Sequence, residues 1–129
     1  MGLHIKKLNI AHYEEVIEIK DSSRGLHAFI AIHDTTFGPA LGGIRLLPYP
    51  TAAALTDVLR LSKGMTYKST LAGLPVGGGK STIILDPVKG KTKEMFHAFG
   101  EAINYLEGRY IGAEDMNCSE EDVQTMFEV

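Results

Sequence analysis

A chain of 129 residues, 44% hydrophobic and 22% charged, carries enough apolar material for one globular domain with its own core. A formal net charge of -3 argues against a nucleic-acid partner, and no Lys/Arg cluster or long apolar stretch points to a membrane. The single cysteine, Cys118, excludes an intrachain disulfide and a paired-cysteine metal motif, and it fits a reducing, cytoplasmic setting.

Met1-Gly2 opens like a myristoylation signal, but Lys6 stands where serine or threonine is required. Val16 to Lys20 and Leu26 to His33 read as strands joined by the turn-like Asp21-Ser22-Ser23-Arg24-Gly25, which predicts an antiparallel hairpin. His27 and His33 fall on the second of these strands, where packing or solvation explains them better than metal ligation, so no metal is expected. A third extended piece, Leu41 to Leu47, leads through Pro48 and Pro50 into a helix from Thr51 to about Ala72. On a wheel of 100° per residue Val58, Leu61, Met65, Lys68 and Ala72 share one stripe. Lys68 is therefore expected to point where core residues point.

The next segment, Gly73-Leu74-Pro75-Val76-Gly77-Gly78-Gly79-Lys80, reads as a glycine-rich turn that delivers Lys80 to the mouth of a buried strand, Lys80 to Leu85, closed by Asp86-Pro87. It imitates a phosphate-binding loop. That motif needs four residues between its glycines and a strand before a helix, whereas here five residues intervene and a helix precedes a strand. A dinucleotide fingerprint fails on spacing as well. Two lysines at costly positions beside bare backbone then suggest a site that handles anions, protons or both.

Met95, Phe96, Phe99, Ala102, Ile103 and Leu106 keep helical spacing up to the stop at Gly108, and Tyr110 to Ala113 reads as a strand running into Glu114-Asp115. Ligands gather at the carboxyl ends of strands in such sheets, which makes Asp115 a candidate by position. Ser119-Glu120-Glu121-Asp122 has capping-box spacing, and the apolar face that follows looks interrupted at Val129, as expected of the first domain of a longer protein. The element order predicts an α/β fold: a mixed sheet with an N-terminal antiparallel hairpin, parallel crossover units and helices packed on it.

Four ordered blocks, Gly38 to Arg45, Leu61 to Lys68, Gly73 to Lys80 with Asp86-Pro87, and Ala113-Glu114-Asp115, resemble the glutamate/leucine/phenylalanine/valine dehydrogenase family over nearly the whole chain. The likeness is to its N-terminal substrate-binding and oligomerisation domain, nearest the leucine and phenylalanine type. It implies NAD- or NADP-dependent, reversible oxidative deamination of an L-amino acid to a 2-oxo acid and ammonia, in a homo-oligomer whose nucleotide-binding domain lies downstream of residues 1–129. By resemblance, Lys68 binds the substrate carboxylate, Lys80 activates water and passes protons, Asp115 works with Lys80, and Leu41, Gly42, Gly43 and Met65 line the substrate. Glutamate-specific members carry a lysine where this chain has Leu41, which implies a branched aliphatic or aromatic substrate. Met116-Asn117-Cys118, Gly112 and Pro75-Val76 depart from the usual leucine-type pattern. The alternative is a non-catalytic oligomerisation or amino-acid-binding module that keeps the fold.

Overall fold

A computed structural model describes residues 2–129. Its strands are β1 (His4–Leu8), β2 (Glu15–Asp21), β3 (Leu26–Asp34), β4 (Ala40–Leu47), β5 (Gly77–Ile84) and β6 (Tyr110–Ala113), and its helices are α1 (Thr51–Leu71), α2 (Lys93–Tyr105) and α3 (Glu120–Met126). One sheet takes the strands in the order β1-β2-β3-β5-β4-β6. The pairs β1/β2, β2/β3 and β3/β5 are antiparallel, and β4 runs parallel to both β5 and β6. The mixed α/β architecture is the one expected: α1 carries the chain from β4 to the adjacent β5, and α2 carries it from β5 past β4 to β6.

The hairpin turn is a short 3-10 segment, Ser22–Arg24, with Asp21 accepting from the Arg24 amide and Gly25 closing it at φ 72°. β1 is an addition to the expected strands. It is an edge strand whose residues are half-buried or exposed, so the apolar alternation that marks an inner strand is weak there. Thr92 caps α2 through the Met95 amide. Ser119 and Asp122 form the expected capping box of α3, which closes at Met126. No helix among the described residues is long and apolar enough to cross a membrane.

Period-two alternation sends neighbouring strand residues to two different cores. On one face Ile17, Ile19, Ile30, Ile32, Ile44 and Ile83 pack against Met95, Phe96 and Phe99 of α2 and Val123 and Met126 of α3. On the other, a smaller core joins Val16, Phe29 and Ala31 to Ala54 and Val58 of α1. α1 lies over β5 and β3 and only brushes β4. The β4/β6 half of that face is left without a helical cover.

Two sequence expectations change here. Gly77, Gly78 and Gly79 are strand residues of β5, and the turn before them is made by Ala72 to Val76 with Gly73 at φ 69°. Their bareness serves close approach: a β-carbon at Gly78 would overlap the backbone nitrogen of Thr66 and the carbonyl oxygen of Ser62. The buried stripe of α1 is accordingly Ala54, Val58, Ser62 and Ser69, small residues that let the helix settle onto glycine. Leu61, Met65 and Lys68 are thereby rotated onto its shoulder, with Leu61 and Met65 half-buried and Lys68 exposed. The bulkiest apolar residues suggested a different seam because size, rather than hydrophobicity alone, decides which side meets a glycine strand.

Candidate active site

β5 presents Lys80 between Gly78 and Thr82, on the face shared with α1, since Thr82 Oγ1 donates to the carbonyl of Ala54 at 3.1 Å. Lys80 is 6% exposed, and a lysine so placed needs an acceptor for its charge. It finds one in Asp115: Lys80 Nζ donates to Oδ2 at 2.5 Å. Arg45 of β4 donates its Nε to that same oxygen at 3.2 Å.

Asp115 is held by the turn that follows β6. The amides and carbonyls of Asp115 and Cys118 bond reciprocally at 3.1 and 3.0 Å, and Leu46 N donates to Met116 O at 3.0 Å. Asn117, left-handed at φ 59°, donates Nδ2 to Leu46 O at 3.0 Å. Burial raises the affinity of the Asp115 carboxyl for a proton, but Lys80, the Met116 amide and Arg45 outweigh it and hold the pKa below the usual carboxylate range. Asp115 is therefore an anion at neutral pH. Cys118, one turn position away, is buried and its thiol is pushed up to about 12 by that burial and by Asp122, which makes it a packing residue with no thiolate chemistry.

Gly43 lies over the pair. A β-carbon there would stand 2.7 Å from Asp115 Cβ and 3.2 Å from Lys80 Nζ. Gly42 faces the opposite way, where a β-carbon would overlap the carbonyl oxygen of Gly79. Its own carbonyl accepts from Tyr110 Oη at 3.1 Å, and that phenol in turn accepts from Ser81 Oγ at 2.6 Å. This buried network ties β4, β5 and β6 together directly beneath Lys80. Burial drives the Tyr110 pKa up, so the phenol stays protonated as the donor the network requires.

Leu41, half-buried, shares the β4 face of Gly43 and Arg45. The α1 shoulder carries Leu61, Met65 and Lys68, which with Arg60, Gly64 and Leu71 line an open groove of about 530 Å³. Lys80, Asp115 and Gly43 are thus brought together and Leu41 shares their strand face, whereas the groove that Met65 and Lys68 line is made of α1 residues alone. His27 and His33 are bonded to Glu18 and Thr66, each at 2.8 Å, and neither is bonded to the pair. Sequence reasoning overlooked Arg45, Asn117 and Tyr110. Arg45 carried a legible signal, since it stands two residues after Gly43 in one strand and must share its face; Tyr110 carried none, because its partners lie on other strands.

A buried lysine, a carboxylate partner and a bare glycine roof thus meet at the edge of the α1 cover. Residues 10–129 match the family described as Glu/Leu/Phe/Val dehydrogenase, dimerisation domain. The chain is 53% identical over 117 residues to a leucine dehydrogenase of Bacillus subtilis (strain 168), covering 90% of this chain and 32% of that protein. A phenylalanine dehydrogenase of Caldalkalibacillus thermarum (strain TA2.A1) is 54% identical over 114 residues, covering 88% and 31%. The crystal structure of an L-tryptophan dehydrogenase from Nostoc punctiforme superposes with a TM-score of 0.87 at 45% identity, over 91% of this chain and 35% of that one. The chain thus spans about a third of the length of these relatives. With nearly all of its length matched, it belongs to the glutamate/leucine/phenylalanine/valine dehydrogenase family, as a dimerisation domain.

Proposed function

We propose that this chain is the substrate-binding half of an NAD- or NADP-dependent amino-acid dehydrogenase, catalysing reversible oxidative deamination of an L-amino acid to a 2-oxo acid and ammonia. The observation that carries the reading is the Lys80–Asp115 pair at 2.5 Å at the edge of the α1-covered sheet face. Relatives named for leucine, phenylalanine and tryptophan, and Leu41 beside the pair, support an apolar substrate, branched-chain or aromatic. Association into a homo-oligomer is part of the same reading, supported by the dimerisation-domain match.

The residues described here do not fit a dinucleotide. The glycines of β4 and β5 are strand residues pressed against backbone, and none opens a helix after a strand. In this reading the cofactor is bound mainly by residues outside this chain, whose own contribution is the handling of charge and protons. Lys68, exposed on the α1 shoulder, supplies a mobile cation for the substrate carboxylate. Deamination requires water to add at an iminium carbon and ammonia to leave from the resulting carbinolamine. Lys80 accepts the proton of the attacking water and returns one to the departing nitrogen, while Asp115, fixed by its turn, holds the ammonium formed between those steps.

Assays of the full-length protein for nucleotide-dependent deamination of leucine, valine and phenylalanine test the reading. Lys80→Ala is expected to lower kcat by about 10² to 10⁴ with the fold intact. Unchanged activity in that variant overturns the role assigned to Lys80.

A further inference from the structure

We propose that Arg45 is a positioning residue for Lys80: by binding the Asp115 oxygen that Lys80 also binds, it fixes that carboxylate and gives it a cationic partner whichever protonation state Lys80 takes. The inference rests on the dehydrogenase reading above and assigns its proton chemistry a further residue.

A buried lysine whose sole partner is a carboxylate is locked as an ammonium, because losing the proton would leave the carboxylate buried without a cation. Arg45 removes that obstacle. It reaches Asp115 Oδ2 at 3.2 Å from β4 while Lys80 reaches the same atom at 2.5 Å from β5. A guanidinium does not deprotonate in a protein, so the carboxylate keeps a cationic partner in both states of Lys80, and the fixed charge repels the ammonium form. The Asp115 turn, pinned to Leu46 by Met116 and Asn117, keeps the carboxylate between the two cations.

The other charged groups around Lys80 are accounted for. From α1, Asp57 accepts from Tyr49 Oη at 2.7 Å and from Arg60 at 3.4 Å, and Lys68 is exposed on the shoulder. From β3, His33 is bonded to Thr66. Beyond β6, Glu114 is exposed beside Asp115, and Tyr110 lies buried on the opposite face of the sheet. Arg45 is the cation that shares the Lys80 acceptor.

The test uses full-length wild type, Arg45→Gln and Arg45→Lys, each checked by thermal melting, with two readouts. One is the pH profile of kcat/KM. The other, independent of activity, is the pH dependence of Lys80 acylation by acetic anhydride, followed on its peptide by mass spectrometry. Arg45→Gln is expected to move the acylation midpoint and the acid limb of kcat/KM to higher pH by about one unit, a roughly tenfold loss of rate below that limb. Arg45→Lys, which restores the charge, should recover most of the shift. Should Arg45→Gln melt early, Arg45→Met replaces it. Equal midpoints in wild type and the neutral variant overturn the proposal, and so does a loss of rate that is uniform across pH. A midpoint shifted in Arg45→Gln, when the wild-type protein deaminates none of the amino acids, upholds the coupling and overturns the dehydrogenase reading instead.

Discussion

The two faces of the sheet are made of different materials. Against α2 and α3 the strands contribute isoleucines and leucine that are wholly buried, interlocked with Met95 and Phe99. Against α1 they contribute a smaller apolar set, Val16, Phe29 and Ala31, with bare glycine at Gly78 and, at the border of the helical cover, a lysine. Burying Lys80 and Asp115 yields little net stabilisation, because desolvation offsets most of the attraction between them. The apolar face must therefore hold the fold while the thinly covered face is free to carry polar groups, open space and bare backbone. Division of labour between faces, more than any one motif, is what makes so small a chain able to hold a charged pair in a fixed geometry.

The largest expected effect falls on the apolar face. Phe99→Ala removes a ring with no solvent exposure and should cost about 3 to 5 kcal/mol in denaturant unfolding, while the full-length protein that remains folded should keep the kcat of the proposed deamination. Loss of activity per folded molecule would show that the faces are not separable. The converse break is Gly43→Ala. The new methyl would press on Asp115 Cβ at 2.7 Å and on Lys80 Nζ at 3.2 Å, so the pair must shift. A fall in kcat/KM of about tenfold to a hundredfold is expected with little change in melting; a normal rate would mean that the pair has more room than this packing allows.

The contrast between faces also decides what could be read before the structure. Strands β2, β3, β5 and β6 and helix α2 were legible because alternation and helical spacing are local, and Ser119 with Asp122 announced the α3 cap. The placement of β5 between β3 and β4 was not, since pairing at long range leaves no local mark. The α1 stripe was misread for a related reason: which side of a helix is buried depends on the strand beneath it, and here Gly78 selects Ser62 and Thr66 over Leu61 and Met65. Lys80 and Asp115 were singled out by position and resemblance, and Leu41 and Gly43 by resemblance alone. The shared oxygen that brings Arg45 into the site depends on a turn whose conformation is set by Asn117 and β4.

The smallest predicted effect compares the two carboxylates that anchor the faces. Asp21, on the α2 side, is wholly buried. It accepts from Ser23 Oγ at 2.7 Å and from Arg24 Nε at 2.7 Å, and Arg24 reaches on to both oxygens of Glu101 in α2 at 2.8 Å. Burial raises its pKa, but the hydrogen bonds from Ser23 and Arg24 outweigh that and leave it depressed, as Lys80 and Arg45 do for Asp115. A carboxyl whose folded pKa lies below its unfolded value of about 3.9 contributes stability that is present above that value and is lost as pH falls through the folded one. Asp21→Asn removes the charge at every pH. It should therefore cost about 1 to 2 kcal/mol at neutral pH, and the gap between variant and wild-type melting temperatures should narrow as pH falls below about 4. A gap that stays constant down to strongly acidic pH would mean that Asp21 acts through shape and neutral hydrogen bonds, and the acid sensitivity of the domain would then rest on the exposed carboxylates and on Asp115 across the sheet.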